Sequence, residues 1–182
     1  MTDDDRRHLV LVGLMGVGKT TVGRICAQRL DRPFVDTDDV VTANAGATVA
    51  ELFEREGEAG FRARERDAVA DVCASVEPLV IACGGGAVLD AENRRRLRSS
   101  GIVVLLDARP AVLAERVAGT HDRPLLSGDA EATLARLREL RWPAYDAVAD
   151  VLVDTSGRSA EEVAGIVLEA LAEVATDAGS AS

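Results

Sequence analysis

The chain has 182 residues, 47% of them hydrophobic, which is enough for one domain with a single sizeable core. Its 31 acidic residues outnumber its 21 basic ones, and the net charge of −10 argues against binding to nucleic acid or to an anionic membrane. The amino terminus lacks the apolar segment of a secretory signal, and the three cysteines show no metal-like spacing. We therefore expect a cytoplasmic protein rather than a disulfide scaffold or a zinc module.

Short apolar runs alternate along the chain with longer segments of helical spacing. We predict strands over residues 9–12, 33–35, 79–82, 102–106 and 150–154. We predict a first helix over 19–30, a second from a capping box at Thr48 to a break at Gly57, and a third over 58–75. A fourth helix ends at residue 97, and a fifth begins at Pro110. A sixth covers 131–141 and stops near Pro143, and a seventh follows a cap at Ser159. Strands that are apolar throughout are typical of a parallel sheet buried on both faces. The predicted fold class is α/β, a single domain of three α/β/α layers around a mostly parallel five-stranded sheet.

The segment after the first predicted strand carries a phosphate-binding motif. Residues 13–20 read GLMGVGKT and match G-x-x-x-x-G-K-[ST] at every specified position, between a strand and a helix. Backbone N–H groups and the helix amino terminus of such a loop surround phosphate oxygens. Lys19, the one lysine among the 21 basic residues, would place charge on the β and γ phosphates, and the Thr20 hydroxyl would bind Mg²⁺. We predict an ATP site formed by Gly16, Val17, Gly18, Lys19, Thr20 and Thr21.

Two aspartates follow the second predicted strand. Asp36 and Asp38 lie where the strand ends, and open α/β sheets bind ligands at the carboxyl ends of their strands. Beside a phosphate loop, one carboxylate suits Mg²⁺ held through water and the other suits acceptance of a substrate hydroxyl proton. The alternative interpretation is a plain helix N-cap or Asx-turn.

Six motifs occur in an order that resembles the shikimate kinases, small members of the nucleoside-monophosphate-kinase-like branch of P-loop kinases. They are GLMGVGKT (13–20), DTDD (36–39), GFRARE (60–65), GGG (84–86), RPLL (123–126) and RWPAY (141–145). The resemblance covers residues 9–171. It implies a P-loop kinase fold with a lid, and transfer of the γ-phosphate of MgATP to the 3-hydroxyl of shikimate, a step of aromatic amino-acid biosynthesis. The implied ligands are shikimate, ATP and Mg²⁺.

The resemblance also implies roles at the nucleotide end of the site. Asp36 is similar to the family's metal-side aspartate, and Asp38 to its hydroxyl-binding aspartate and general base. Arg158, and also Arg116, resemble arginines on the adenine side. These four residues would complete the ATP and metal site around the phosphate loop.

Further roles concern the acidic substrate. Arg62 and Arg141 resemble the two arginines that bind the substrate carboxylate, for which the planar guanidinium is suited. Glu65 would orient Arg62 from one helical turn away, and Gly85 would contact the substrate directly. The other arginines nearby, namely Arg64, Arg66, Arg136 and Arg138, are expected to be surface charge.

The polar segment 118–130 interrupts two helical patterns. It is long for a plain connection, and such loops often cover active sites. By resemblance to the RPLL motif, Arg123 within it is a catalytic residue that contacts the nucleotide phosphates. We further expect a frayed end over 176–182 and a monomer.

Two other functions fit part of this pattern. One is a kinase of another small hydroxy acid, such as gluconate, or of a nucleotide, although 3% aromatic residues leave little surface for stacking a nucleobase. The other is a nucleotide-binding switch without transferase activity. The sequence argues against a switch, because it lacks the N-K-x-D motif with which GTP-binding switches recognise guanine. An ADP-release assay with a panel of hydroxy acids and nucleotides as acceptors distinguishes these two functions from shikimate phosphorylation.

Overall fold

A five-stranded parallel sheet forms the centre of the computed structural model, which describes residues 7–118 and 129–180. The strands are β1 (His8–Val12), β2 (Phe34–Asp36), β3 (Val80–Ala82), β4 (Gly101–Asp107) and β5 (Val151–Asp154). Their order is β2-β3-β1-β4-β5, and every neighbouring pair is parallel. The predicted parallel sheet is thus confirmed, with β1 at its middle.

Helices cover the sheet on both faces. They are α1 (Lys19–Leu30), α2 (Thr37–Ala45), α3 (Val49–Cys73), α4 (Ala91–Ser100), α5 (Pro110–Val117), α6 (Ala130–Val148) and α7 (Ala160–Ser180). Helices α1 and α7 pack together against one face, while α4 packs with α3 and α6 against the other. Residues 9–12 of β1 are all buried, as a strand covered on both faces requires.

The helix boundaries follow from local signals in the sequence. The capping box at the start of α3 is present, because the Thr48 hydroxyl accepts from the Glu51 N–H and the Glu51 carboxylate accepts from the Thr48 N–H. The predicted break at Gly57 is a kink inside α3, where the glycine has a left-handed φ of 68°. The backbone of α7 is helical to Ser180, which reaches into the segment where we expected a frayed end.

The predicted end of the helix near Pro143 is wrong. Helix α6 continues through Pro143 to Val148, although proline cannot donate a hydrogen bond to the preceding turn. Tyr145 and Val148 lie beyond the proline and are both buried. Their burial outweighs the lost hydrogen bond, so tertiary packing overrides the local signal here.

His8 is a buried titratable residue at the start of the central strand. Its Nδ1 accepts a hydrogen bond from the Leu79 N–H at 3.0 Å, which requires the neutral imidazole. Burial lowers the pKa of His8 below its ordinary value of 6.5. The imidazole therefore stays neutral in the folded chain at a pH where the unfolded chain already binds a proton.

We expect this histidine to make stability depend on pH. Because the unfolded state binds the extra proton, the free energy of unfolding falls as pH decreases from neutral through the ordinary histidine pKa of 6.5. Melting curves of the wild type and of His8→Gln over this range test the expectation. The difference between the two melting temperatures should change with pH, and a constant difference would contradict the assignment.

No helix of the described residues, 7–118 and 129–180, is both long and apolar enough to cross a membrane.

Candidate active site

A cavity of about 1010 Å³ lies at the carboxyl ends of the strands, where parallel α/β sheets bind their ligands. The described part of the chain brings nearly all the predicted site residues to this one cavity. Those that line it are Gly16, Val17, Gly18, Lys19, Thr20, Thr21, Asp36, Asp38, Arg62, Glu65, Gly85, Arg116, Arg141 and Arg158. Arg123 and most of the predicted lid, 119–128, lie outside the described residues.

The phosphate loop joins β1 to α1 in a conformation that depends on glycine. A side chain at Gly13 would have its Cβ 2.2 Å from the Leu106 carbonyl oxygen, so the loop could not pass over β4 with a larger residue. Gly18 caps α1 with a left-handed φ of 100°. The Lys19 Nζ donates to the Gly13 and Leu14 carbonyls at 2.9 and 3.0 Å, which holds the ammonium group across the loop.

Asp36 connects the phosphate loop to helix α2. Its Oδ2 accepts from the Thr20 hydroxyl at 2.9 Å, and its Oδ1 accepts from the Asp38 N–H at 3.1 Å. The interpretation of Asp36 as a helix N-cap is therefore confirmed. The same carboxylate also lies beside Thr20, so the cap and the phosphate loop share one side chain.

Two acidic side chains converge on Gly84. A Cβ at this glycine would lie 2.4 Å from the Asp38 Oδ1 and 3.1 Å from the Glu65 Oε1, so only a bare backbone fits beneath them. Burial raises the pKa of Asp38, and the Asp36 carboxylate raises it further. Burial also raises the pKa of Glu65, a residue that is 2% exposed. Raised carboxyl pKa values in a cavity are typical of acid–base sites.

Arg62 projects from α3 into the cavity in a fixed orientation. Its Nη1 donates to the Glu65 Oε2 at 2.7 Å, as the predicted pairing of these two residues required. A Cβ at Gly86 would lie 2.3 Å from the same nitrogen, so the guanidinium rests on the glycine backbone. Arg64, by contrast, forms two hydrogen bonds of 2.8 Å with Glu56 and does not line the cavity.

Arg141 reaches the cavity from the opposite side, on helix α6. Its Nη1 donates to the Gly85 carbonyl at 2.9 Å. Tyr145, four residues further along the helix, donates its hydroxyl to the same oxygen at 2.6 Å. The continuation of α6 past Pro143 is what places these two side chains together, since residues four apart share one helix face.

Two further arginines lie near β5 and the phosphate loop. Arg116 donates to the Thr155 hydroxyl and to the Thr155 carbonyl, both at 2.9 Å. Arg158 donates to the Asp154 carbonyl. Both line the cavity, and their role on the adenine side stays a prediction.

Sequence reasoning missed part of the cavity wall and misjudged one arginine. Phe53 and Phe61 line the cavity with their ring centroids 4.7 Å apart, yet aromatic residues at helical spacing indicate ordinary core packing.

Arg138 is more than surface charge, because it forms a bidentate ion pair with Asp107 at 2.6 to 2.9 Å and lies 4.5 Å from the Trp142 ring. Its partner is 31 residues away, so no local pattern could reveal it. Arg136 is exposed.

Comparison with known proteins agrees with this geometry. The family profile described as shikimate kinase matches residues 15–172. The chain belongs to the shikimate kinase family. It is therefore an ATP-dependent kinase with the α/β P-loop kinase fold, as the six motifs predicted.

Curated relatives match over almost their whole length. The shikimate kinase of Symbiobacterium thermophilum is 52% identical over 169 residues, which is 91% of this chain and 97% of the relative. That of Dechloromonas aromatica is 47% identical over 156 residues, 85% of each chain. The similarity thus extends over most of the chain.

Solved structures match the fold closely. A shikimate kinase from Acinetobacter baumannii in complex with shikimate has a TM-score of 0.87 and 38% identity, and the match covers 92% of this chain and 93% of that one. A gluconokinase from Sinorhizobium meliloti has a TM-score of 0.63 at 23% identity, covering 97% and 98%. The second match shows the shared fold alone.

Proposed function

We propose that this chain transfers the γ-phosphate of MgATP to the 3-hydroxyl of shikimate, giving shikimate 3-phosphate and ADP. The observation that carries the proposal is that one cavity is lined by a phosphate loop, by Asp38 and by the arginine pair Arg62 and Arg141. A relative of the same fold was solved in complex with shikimate. The product would serve aromatic amino-acid biosynthesis. The protein would act as a cytoplasmic monomer that binds two small molecules and no nucleic acid.

The acid end of the cavity suits a small hydroxy acid. Arg62 and Arg141 contact consecutive glycines, Gly86 and Gly85, from two different helices. Two guanidinium groups that converge in this way can bind one carboxylate with several charge-assisted hydrogen bonds. Glu65 holds Arg62 in place, and the Gly85 backbone is bare enough for close approach of the substrate.

Asp38 is the proposed acceptor of the hydroxyl proton. Its raised pKa makes it a stronger base than an ordinary aspartate, while Lys19 and Arg62 nearby still favour its ionised form. The substrate hydroxyl oxygen bonds to the γ-phosphorus, the bond from that phosphorus to the bridging oxygen breaks, and ADP leaves. The hydroxyl proton passes to the Asp38 carboxylate as its oxygen attacks.

The nucleotide end is formed by the phosphate loop and two arginines. Backbone N–H groups of Gly16, Val17 and Gly18 would bind the phosphates, with Thr20 and Thr21 at the start of α1. Lys19 would move from its loop carbonyls to the β and γ oxygens. Arg116 and Arg158 would flank the adenine, and Arg123 would reach the phosphates from the predicted lid.

The residues present fit a magnesium ion. The Thr20 hydroxyl and the Asp36 carboxylate lie 2.9 Å apart and are hard oxygen donors, which Mg²⁺ prefers. Within the described ranges, no group of three or more acidic, histidine or cysteine side chains could hold a metal, so water and nucleotide phosphates would supply the other ligands. Bound there, Mg²⁺ would neutralise charge on the phosphate oxygens.

An acceptor panel tests the proposed reaction. ADP release is measured with MgATP and shikimate, gluconate or a nucleoside monophosphate in turn. We expect kcat/KM with shikimate to exceed the others by a factor of about 10⁴ or more, because a nucleoside monophosphate has no carboxylate for the arginine pair, and the open chain of gluconate does not hold its hydroxyls in the positions that a ring gives them. Faster turnover of gluconate or a nucleotide would refute the proposal.

Arg62 offers a test of the acid end. We expect Arg62→Ala to weaken shikimate binding by about 2–3 kcal/mol, because the substrate carboxylate loses a charged partner, while the KM for MgATP stays nearly unchanged. The control is Arg66→Ala, on the same helix, whose side chain pairs with Asp90 at 3.6 Å and does not line the cavity. Equal effects of the two variants would contradict the assignment.

A further inference from the structure

Tyr145 is a buried polar residue next to the acid end of the cavity. It is the single tyrosine of the chain, it is 2% exposed, and it does not line the cavity. Its hydroxyl donates to the Gly85 carbonyl at 2.6 Å. Burial raises the pKa of Tyr145 to about 12, so the phenol keeps its proton and remains a hydrogen-bond donor at any physiological pH.

The glycine run 84–86 needs external anchors. Glycine has no side chain to restrict its backbone, so hydrogen bonds must hold the run in one conformation. The Gly84 N–H donates to the buried Thr37 hydroxyl at 2.9 Å. The Gly85 carbonyl accepts from Tyr145 and Arg141, which uses both of its lone pairs.

These two anchors of the Gly85 carbonyl differ in one respect. Arg141 lines the cavity and, under the proposed function, binds the substrate carboxylate, so its hydrogen bond to Gly85 competes with the substrate. Tyr145 lies outside the cavity, so the substrate does not compete for its hydroxyl, although this hydroxyl also forms a hydrogen bond with the Arg141 side chain. The phenol is thus the anchor that can persist when substrate binds.

The peptide unit between Gly85 and Gly86 lies between the two arginines. Its carbonyl faces Arg141, and Gly86 supports the Arg62 guanidinium. The peptide bond is trans, like the others in the described chain, so the Gly86 N–H points away from the Gly85 carbonyl. Rotation of this one plane would therefore disturb both guanidinium contacts together.

We propose that Tyr145 is a positioning residue for the acidic substrate: its hydroxyl fixes the peptide plane between Gly85 and Gly86, and this plane sets the spacing of Arg62 and Arg141. The inference rests on the proposed function, since it assigns a role in binding the same acid. Tyr145 acts through the backbone and touches no reacting atom.

The variant Tyr145→Phe removes the hydroxyl and keeps the buried ring. We expect the KM for shikimate to rise roughly 3- to 30-fold, since a buried carbonyl loses its permanent donor, while kcat and the KM for MgATP change less than about twofold. Isothermal titration calorimetry gives the dissociation constant for shikimate without turnover, and this constant should show the same weakening. An unchanged shikimate KM, or an equal rise for both substrates, would overturn the proposal.

Ser100→Ala is the matched control. Its hydroxyl also donates to a backbone carbonyl, that of Leu97 at 3.1 Å, but on α4 away from the cavity. Both KM values should stay at the wild-type level. A wild type that neither binds nor phosphorylates shikimate would overturn the proposed function as well, whereas a normal wild type with an unaffected Tyr145→Phe would overturn the role of Tyr145 alone.

A measurement on the wild type needs no variant. The Raman Fermi doublet of the phenol reports whether its hydroxyl donates a hydrogen bond, and the single tyrosine makes the signal unambiguous. We expect a donor state both in the free protein and with saturating shikimate. Loss of the donor state on binding would show that Tyr145 is not the permanent anchor.

Discussion

Replacing Lys19 with alanine is expected to reduce kcat/KM for phosphoryl transfer by a factor of about 10² to 10³, because the charge on the β and γ phosphate oxygens is no longer neutralised in the transition state. The fold should persist, since the lysine side chain bonds to carbonyls of a loop that its glycines already shape. Coupled ADP-release kinetics and circular dichroism measure the two quantities. Near-normal turnover would refute the assignment of the phosphate loop.

The variant Lys19→Arg sharpens this test. The chain uses arginine for 20 of its 21 basic residues, so a mere requirement for positive charge would allow arginine here as well. The Lys19 ammonium group lies between two loop carbonyls at 2.9 and 3.0 Å, a space that suits a compact point charge better than a planar guanidinium. We expect Lys19→Arg to remain impaired, and full rescue would show that charge alone suffices.

Asp38→Asn is expected to lower kcat by a factor of about 10² to 10⁴, the range typical for loss of a general base. The amide keeps the size of the side chain but cannot accept the hydroxyl proton. Asp39→Asn is the matched control, because Asp39 is the next residue of α2, is exposed and does not line the cavity. Comparable losses in both variants would contradict the role of Asp38.

The same variant should be more stable than the wild type. Burial raises the pKa of Asp38, so the unfolded chain ionises first and stability falls as pH rises through the interval between the unfolded and the folded pKa. Asparagine avoids this loss at neutral pH. We expect the melting temperature to rise by about 2–4 °C, equivalent to about 1 kcal/mol for this chain length. A lower melting temperature would indicate that ionised Asp38 stabilises the fold.

Much of the nucleotide end could be predicted because its residues are adjacent in sequence. The loop motif specifies its own backbone geometry through Gly13 and Gly18, and it lies directly after an apolar strand. The capping box of α3 and the kink at Gly57 are equally local signals. Where a structural feature depends on neighbours within a few residues, the pattern alone was sufficient.

The acid end required tertiary information. The extension of α6 past Pro143 depends on the burial of Tyr145 and Val148, which no local propensity reports. Arg141 reaches Gly85 across 56 residues of sequence. The family motifs predicted that Arg62 and Arg141 bind the substrate carboxylate, but only the folded chain shows that both side chains contact the same short glycine run.

The kink at Gly57 divides helix α3 into two segments that line different parts of the cavity. Residues before Gly57, including Val49 and Phe53, form an apolar wall of the cavity, and the residues after it supply Arg62. The Arg64–Glu56 ion pair spans the bend at 2.8 Å, so the angle between the halves does not depend on Gly57 alone. The two halves are consequently separate targets for protein engineering: the apolar wall can be reshaped for a different acceptor ring, while the proposed carboxylate anchor beyond the bend is left as it is.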